Sequence, residues 1–453
     1  MRIAFTTLGC KLNQVETNLM REACRGSIME VVPFEAEADV YVVNTCSVTG
    51  KTDRAARQLV RRAVAQNPQA AVVVTGCYAQ LQPEAVAALP GVRLVLGNEE
   101  KHDLLHYLGT LDEDNGSPVH VAVGDIGRAT EFRSAPVREF TGYTKAFVKI
   151  QTGCDFRCSF CSIWTARGPS RSEPPERVVE QMAELARSGV REMALTGVCI
   201  GSYGLDLSPP TTLVDLVRRA EGVEGLERLR ITSIEPTELT DELLDTISAS
   251  PLVCPHLHVP LQSGSDRILE AMNRNYRREF YRGRIEAAAA RMPGAGIGAD
   301  VMVGFPGETD EDFEDTIALI EGLPMTYLHV FSYSTRPGTP AAEWPDQVDP
   351  KLKKERSRRL RALGESKREA FMASQVGRTV PVLIETTRER ETGLLKGWSD
   401  TYVKVRLEGP DAWKGRIVPV DVTARANGHL EGVGVGPGGE EQPWPRPSGP
   451  SSL

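Results

Sequence analysis

Long apolar runs are missing from this sequence of 453 residues, and no stretch reaches the roughly 20 apolar residues that a transmembrane helix needs. The opening residues, MRIAFTTLGCKLN, also lack the apolar segment of a signal peptide. We therefore expect a cytoplasmic protein with no membrane partner. Net positive charge is missing too, since the net charge is −8. This argues only weakly against a nucleic-acid partner, because local basic patches capture phosphates whatever the total charge.

The sequence also lacks an even number of cysteines, since it contains nine. In a reducing compartment, the nine cysteines are expected to be metal ligands, catalytic thiols or buried apolar side chains rather than disulfides. The odd count argues against a disulfide framework as well. The length predicts two or three domains, and 41% hydrophobic with 25% charged residues is the composition of a globular protein.

Residues 1–112 alternate short β-branched runs with helical patterns, which predicts a doubly wound parallel α/β domain. Strands are predicted at residues 3–7, 40–44, 71–75 and 93–96, and helices at 52–66 and 83–89. We expect a linker over residues 113–139.

Residues 140–370 repeat the alternation on a longer scale. Strands are predicted at residues 146–150, 192–196, 228–232, 256–261, 297–303 and 327–332. Helices are predicted between them at residues 176–188, 213–221, 241–248, 280–291 and 311–323. Six such units predict a partial parallel (β/α)6 barrel of the TIM type, with its chemistry at the carboxyl ends of the strands.

The sequence pattern changes after residue 350. Residues 351–368 carry nine Lys or Arg against two Glu, which fits either a solvated helix face or a phosphate-binding surface. Residues 371–433 contain alternating strand patterns without a helix, so we expect a small all-β barrel. Residues 434–453 are rich in Gly, Pro and Glu and are expected to be a disordered tail.

The strongest chemical signal is Cys154-x3-Cys158-x2-Cys161, directly after the first predicted barrel strand. Three thiolates in so short a loop can bind three irons of a [4Fe–4S] cluster, whose full ligation takes four. One iron is left open for a substrate or cofactor. Structural zinc needs four ligands, and no fourth cysteine or histidine is near in the sequence.

A second set, Cys10, Cys46 and Cys77, lies two or three residues beyond three consecutive predicted strands. Neighbouring strands are about 4.8 Å apart, and the carboxyl ends of parallel strands share one edge, so these thiols can converge on a second cluster. Three unrelated buried thiols are the alternative. We interpret Cys24 and Cys254 as packing residues.

The Cys-x3-Cys-x2-Cys spacing and the barrel pattern resemble the radical S-adenosylmethionine (SAM) superfamily. The resemblance implies that SAM binds the open iron and that its reductive cleavage gives a 5′-deoxyadenosyl radical. It also implies SAM contacts at the ends of the barrel strands, for which the candidates are Thr196, Gly197, Ser233, Glu235, Gln262, Ser263 and Asp300. Any one of these residues could equally be a turn or cap residue.

Over about residues 1–433, the chain resembles the methylthiotransferases of this superfamily. The motifs are TLGCKLNQVET, ADVYVVNTCSVT, VVTGCYAQ, CPHLHVPLQSGSDRIL, VGFPGETDEDFEDT and LHVFSYSTRPGTPAA. The segment at residues 9–14, GCKLNQ, favours the branch that acts on N6-threonylcarbamoyladenosine at position 37 of tRNA.

The resemblance implies that a methylthio group replaces the C2 hydrogen of that base, with all six cluster cysteines catalytic. It implies two [4Fe–4S] clusters, two molecules of SAM, and an electron donor such as flavodoxin or ferredoxin. One SAM would methylate a sulfur on the Cys10, Cys46 and Cys77 cluster, and the second would supply the radical. The C-terminal barrel would be a TRAM domain that binds the tRNA partner.

The sequence departs from the family pattern in places. Trp164 and Thr165 stand where Pro-Tyr is frequent, and Cys199 stands where a histidine is expected. Three alternatives stay open. Two keep the fold and change the substrate, to isopentenyladenosine in tRNA or an aspartate of a ribosomal protein. The third is a non-catalytic RNA-binding protein with structural zinc.

Overall fold

The structure is a computed structural model that describes residues 1–111, 118–134 and 144–435. Within these ranges the N-terminal sheet contains the strands β1 (Arg2–Thr7), β2 (Glu30–Val32), β3 (Val40–Thr45), β4 (Ala71–Gly76), β5 (Val92–Leu96) and β6 (His120–Ala122). Its helices are α1 (Lys11–Arg25), α2 (Gly50–Gln66), α3 (Cys77–Leu81), α4 (Pro83–Ala87) and α5 (Leu104–Leu108). All neighbouring strands are parallel, in the order β2-β1-β3-β4-β5-β6.

Both faces of this sheet are covered by helices. Alternate residues of a strand point to opposite faces, so Val72 of β4 belongs to the apolar cluster that contains Ala56 of α2, while Val73 belongs to the cluster that contains Met20 of α1. The predicted doubly wound domain is therefore confirmed. β2 and β6 add an edge strand at each side of the four predicted strands, and β6 comes from the described part of the expected linker. Residues 112–117 and 135–143 lie outside the described ranges.

The central domain has the strands β7 (Ala146–Lys149), β8 (Gln151–Thr152), β9 (Arg171–Ser172), β10 (Glu192–Thr196), β11 (Arg228–Ile231), β12 (His256–His258), β13 (Gly296–Val303) and β14 (Tyr327–Ser332). Its helices are α6 (Ile163–Arg167), α7 (Pro175–Arg187), α8 (Leu213–Ala220), α9 (Asp241–Ala249), α10 (Asp266–Ala271), α11 (Arg278–Arg291), α12 (Asp310–Gly322) and α13 (Pro350–Gln375).

Two parallel sheets, β11-β10-β7 and β12-β13-β14, form a curved wall of six strands in the described central domain. Isolated bridges join the sheets, from Leu229 to Val253 and from Ser233 to His258. The predicted partial barrel is therefore confirmed. Strand β12 is shorter than the predicted 256–261, because Pro260 has no N–H to donate and Gln262 adopts a φ of +63°.

A closed antiparallel-rich barrel follows α13, with the strands β15 (Thr379–Ile384), β16 (Leu395–Ser399), β17 (Lys404–Glu408), β18 (Ile417–Ala426) and β19 (His429–Gly434). Val382, Val405, Val420 and Leu430 fill its interior, as expected from the alternating strand patterns. The expected tail beyond residue 435 lies outside the described residues. In the described ranges, no helix is both long and apolar enough to cross a membrane.

Candidate active site

The loop after β8 carries Cys154, Cys158 and Cys161. It begins at Gly153, where φ is +75° and an added Cβ would lie 1.8 Å from the carbonyl oxygen of Pro169, so this turn excludes any side chain. Burial raises the pKa of the Cys161 thiol to about 12, and the thiols of Cys158 and Cys154 act in the same direction. The three sulfurs therefore share one environment at the carboxyl ends of the barrel strands.

Arg274, just after α10, supplies a positive charge to this loop. Its Nη1 donates to the Sγ of Cys158 at 3.2 Å, and its Nη2 pairs with Glu235. Burial raises the pKa of Cys158, and the guanidinium opposes that shift and favours the thiolate. Sequence reasoning missed Arg274, because a single arginine 116 residues from Cys158 forms no local pattern with it.

Cys199 lies beside the same loop, in the position where a histidine was expected. Its thiol donates to Glu238 Oε1 at 3.3 Å, and a hydrogen bond with Cys199 lowers the pKa of the Cys154 thiol. The departure from the family pattern therefore touches the first cysteine trio directly. Trp164, the other departure, lies in α6, where the guanidinium of Arg157 stacks 4.5 Å from its ring centroid.

Six of the seven predicted SAM-contacting residues lie at or just after the carboxyl ends of barrel strands, and Asp300 lies in the middle of β13. Gly197 packs so tightly that an added Cβ would lie 2.8 Å from Oε1 of Gln151. The Ser263 hydroxyl accepts the N–H of Ser265, so it holds its own loop. The remaining five are Thr196 at the end of β10, Ser233 beside His258, Glu235 with Arg274, Gln262 beside Val301, and Asp300 in β13. Their roles as SAM contacts stay predictions.

The second trio, Cys10, Cys46 and Cys77, follows the neighbouring strands β1, β3 and β4. Strands β1 and β3 flank the point where the strand order reverses, which is the usual binding edge of such sheets. A Cβ on Gly9 would lie 2.9 Å from Cys46 Sγ, so the glycine lets the two segments approach. Burial raises the pKa of Cys46 to about 11, and the nearby thiols of Cys77 and Cys10 add to the shift.

The spacing of the sulfurs bears on which metal group fits. A tetrahedral zinc ion with Zn–S bonds of about 2.3 Å holds its sulfurs roughly 3.8 Å apart. Among the described residues, no three cysteine sulfurs lie within 4.8 Å of one another. Within the described residues, neither trio therefore has the close spacing of a zinc site, and ligation of three irons of a [4Fe–4S] cluster is the predicted alternative. The role of all six cysteines as cluster ligands stays a prediction.

A buried charge cluster joins the two regions. Arg167, which ends the helix after the first trio, donates to Glu16 of α1 at 2.8 and 3.0 Å and to Asn13 Oδ1 at 2.6 Å. Lys101 and Lys149 complete the set, with their Nζ atoms 2.6 and 3.3 Å from the Glu16 carboxylate. Burial opposes ionisation of Glu16, but the three cations hold its pKa well below the usual range. These contacts fix the N-terminal domain against the barrel.

A polar layer crosses the barrel at β12, β13 and β14. Asp300 Oδ1 accepts from His258 Nε2 at 3.0 Å and lies 3.3 Å from His329 Nδ1. Burial opposes ionisation of Asp300, yet the hydrogen bonds with His258 and His329 hold its pKa well below the usual range. Tyr327 Oη lies 3.2 Å from the other nitrogen of His258. The side chains of Asp300 and His329 stay 28% and 53% exposed, so solvent reaches this layer.

The opposite end of the barrel holds the cations Lys145 and Arg230 beside the imidazole of His256, and the buried Glu192 pairs with Arg230. Lys145, Arg230 and His256 come from three different strands or their starts, and all three lie against the ring of Tyr402 from the C-terminal barrel. They therefore share the interior of the barrel. Arg230 also donates to the carbonyl oxygen of Ser399 at 2.6 Å, which fastens the C-terminal barrel at this end.

Lys11 reaches into the same interior from the first turn of α1. Its Nζ lies 5.9 Å from the ring centroid of Phe147 in β7. Burial lowers its pKa to about 8, and the nearby cations Lys145 and Arg230 lower it further. The nearby Cys10 thiol and the carboxylate of Glu192 act on the pKa of Lys11 in the opposite direction.

Comparison with known proteins agrees with this architecture. The model of the radical SAM superfamily matches residues 148–320, and a family described as "Uncharacterized protein family UPF0004" matches residues 2–97. Two solved structures of TsrM from Kitasatospora setae, a radical SAM methyltransferase, are similar with a TM-score of 0.58 each and identities of 18% and 17%. The one with tryptophan and a SAM analogue covers 75% of each chain. The fold is thus that of a radical SAM enzyme.

Similar sequences define the family more narrowly. The chain is 40% identical over 433 residues to the threonylcarbamoyladenosine tRNA methylthiotransferase MtaB of Bacillus subtilis (strain 168), with 95% of each chain covered. It is 39% identical to MtaB of Aquifex aeolicus (strain VF5), over 90% of this chain and 97% of that protein. A tRNA-2-methylthio-N(6)-dimethylallyladenosine synthase of Pelotomaculum thermopropionicum is 35% identical, over 94% and 96%. The chain belongs to the family of radical SAM tRNA methylthiotransferases.

Proposed function

We propose that this enzyme transfers a methylthio group to C2 of N6-threonylcarbamoyladenosine at position 37 of tRNA, using two molecules of SAM and two [4Fe–4S] clusters. The observation that carries the proposal is the pair of cysteine trios, one at the carboxyl edge of the N-terminal sheet and one in the loop after β8. A radical SAM enzyme that only cleaves SAM needs one such set. The second set supports a reaction that also installs sulfur.

The names of the most similar relatives support the proposed substrate. Two relatives of 40% and 39% identity bear the threonylcarbamoyladenosine name, whereas the dimethylallyladenosine enzyme is 35% identical. The alternative is methylthiolation of isopentenyladenosine in tRNA or of a ribosomal protein. In either case, 2-methylthio-N6-threonylcarbamoyladenosine would not be formed.

The two cysteine trios have different proposed roles, and two arginines support them. Cys154, Cys158 and Cys161 would hold the cluster that supplies an electron for SAM cleavage, and Cys10, Cys46 and Cys77 would hold the one that binds the sulfur to be transferred. Arg274 keeps a positive charge against the thiolate of Cys158. Arg167 holds the two domains at a fixed separation through Glu16. The electron itself would come from a carrier such as flavodoxin or ferredoxin, in the cytoplasm where tRNA is modified.

The C-terminal barrel and α13 are the proposed tRNA-binding elements. Part of the basic segment has a structural role, since Arg356 pairs with the buried Glu308 and Arg359 pairs with Glu314 of α12. Lys351, Lys354 and Arg358 remain exposed on the same helix. These three side chains can contact phosphates, and the paired ones hold α13 against the barrel.

The test is complementation of a deletion strain, followed by nucleoside mass spectrometry of its tRNA. Wild-type protein should restore 2-methylthio-N6-threonylcarbamoyladenosine, and the Cys46→Ala variant should not restore it. Cys24→Ala is the matched control, because this buried thiol of α1 lies in the apolar core and outside both trios. Restoration of 2-methylthio-isopentenyladenosine instead, or full activity of the Cys46→Ala variant, would contradict the proposal.

A further inference from the structure

The interior face of β14 carries an exposed aromatic ring. Tyr327 points into the barrel, where its Oη lies 3.2 Å from His258 Nδ1. His329 does the same, with its Nδ1 3.3 Å from Asp300 Oδ1. Alternate residues of a strand share a face, so Phe331 points into the barrel as well. It is 43% exposed although it belongs to a strand of the barrel wall, so its ring is open to a ligand beside the polar layer.

Apolar packing links this part of the barrel to the loop of the first trio. Met302 of β13 is the register partner of Phe331 in β14. Met302 and Phe160 pack against one apolar cluster, which contains Phe305 and Tyr333. In the sequence, Phe160 lies between two cysteines of the first trio. Phe331 is thus one strand away from a side chain that packs with the loop of the first trio.

The segment after β14 continues from Phe331 to the second trio. Ser334 Oγ accepts the backbone N–H of Gly50 at 3.3 Å. Arg336 Nη2 donates to the Oγ of Ser47 at 2.8 Å, and Ser47 directly follows a cysteine of the second trio. An extended chain spans at most about 3.5 Å per residue, so Ser334 lies within about 11 Å of Phe331. The exposed ring therefore lies between the two trios.

The chemistry of the ring indicates what it can bind. An exposed aromatic side chain stacks on the flat face of a nucleobase, whatever the base. Enzymes that modify a base take it out of the RNA stack and hold it against aromatic or apolar side chains. Two purines take part in the proposed reaction, the tRNA base and the adenine of SAM. The position of the ring favours the tRNA base, because only this base has to reach both clusters.

We propose that the ring of Phe331 stacks on the adenine at position 37 of the tRNA and holds it between the two cysteine trios. The inference rests on the proposed function, because it assumes that this base enters the barrel. Phe331 is then a substrate-binding residue, and the polar layer two residues earlier on β14 lies beside the bound base.

The test compares the binding of two anticodon stem–loop RNAs to the holoenzyme, one with threonylcarbamoyladenosine at position 37 and one with an abasic site there. Phe331→Ala should weaken binding of the first RNA about 5- to 150-fold, the usual loss when a stacking ring is removed, and leave binding of the abasic RNA unchanged. Phe331→Leu keeps an apolar side chain without a ring and should show a similar loss. Phe331→Tyr keeps the ring and should retain most of the affinity.

Phe280→Ala is the matched control, because Phe280 is 45% exposed and belongs to α11 rather than to a barrel strand. It should leave both affinities unchanged. The iron content and the affinity for SAM should stay at wild-type values in all three Phe331 variants, because the ring holds neither a cluster nor SAM.

Three results would overturn the inference: an equal loss for both RNAs in Phe331→Ala, no loss for either RNA, or a weaker affinity for SAM with unchanged binding of RNA. If the wild-type enzyme methylthiolates only a stem–loop that bears dimethylallyladenosine, the proposed substrate fails. The same comparison on that RNA then tests the stacking by itself, because the adenine ring is common to both substrates.

Discussion

Glu16 is a buried carboxylate that pairs with cations of both domains, and its replacement by glutamine tests how much these ion pairs stabilise the contact between the domains. Its side chain is 2% exposed, and Arg167, Lys101 and Lys149 surround it with exposures of 3%, 1% and 3%. The Glu16→Gln variant keeps the volume and removes the charge. Three buried cations are then left facing one another without an anion.

The magnitude follows from the distances. At about 3 Å and an effective dielectric constant of roughly 20, each of the three pairs is worth about 5 kcal/mol before desolvation and mutual repulsion are subtracted. Breaking a buried pair by removing one partner costs about 3–5 kcal/mol in practice. We therefore expect Glu16→Gln to lower the free energy of unfolding of the N-terminal domain and barrel by about 3–5 kcal/mol.

Chemical denaturation of the holoenzyme, followed by circular dichroism, measures this loss. Glu30→Gln is the matched control, since Glu30 is 72% exposed and 3.9 Å from Arg2, and it should change stability by less than about 0.5 kcal/mol. The pKa of Glu16 is depressed in the folded state, so its contribution is complete above the unfolded pKa and disappears as the pH falls through the folded value. The difference in the free energy of unfolding between wild type and variant should thus be the same at about pH 5 and at about pH 7. A Glu16→Gln variant within about 1 kcal/mol of wild type would refute the reasoning.

Three further outcomes are expected. Gly76→Ala should lower the free energy of unfolding by more than about 2 kcal/mol and halve the iron content, because φ is +93° and the added Cβ would lie 2.3 Å from the Thr45 carbonyl oxygen. Gly189→Ala is the control, since φ is +97° there and no atom lies within 4 Å of the added Cβ. This variant should show the cost of the backbone strain alone and keep its iron. Arg274→Gln should make the reduction potential of the cluster at Cys158 more negative in a redox titration, whereas the exposed Arg277→Gln should leave it unchanged. Cys158→Ala should abolish 5′-deoxyadenosine formation in a chromatographic assay, and persistence of that product at the wild-type rate would mean that the cluster is held elsewhere.

Local sequence patterns were sufficient to predict the strands and the domain architecture. The β-branched runs predicted the strands, and the Cys46 and Cys77 segments directly follow β3 and β4, which are each one residue longer than predicted. Parallel order then placed the cysteines at one edge, because carboxyl ends of parallel strands meet there. The closed C-terminal barrel followed from alternation in the same way.

The contacts between distant segments could not be predicted. Glu16 and Arg167 are 151 residues apart, and nothing local to either residue marks it as half of a buried pair. The contact of Arg274 with Cys158 and the pairing of Asp300 with His329 have the same origin, because each depends on how strands and loops pack in three dimensions. Lys11 was visible as part of a family motif, but its position inside the barrel emerged only from the docking of α1 against β7.

Quantifying iron in anaerobically reconstituted protein, together with Mössbauer spectroscopy, tests most directly whether two separate cubes are present. Wild-type protein should hold about eight irons per chain, and a variant with Cys10, Cys46 and Cys77 all changed to alanine should hold about four. Wild-type protein that saturates at about four irons, all lost when Cys154, Cys158 and Cys161 are replaced, would contradict the account.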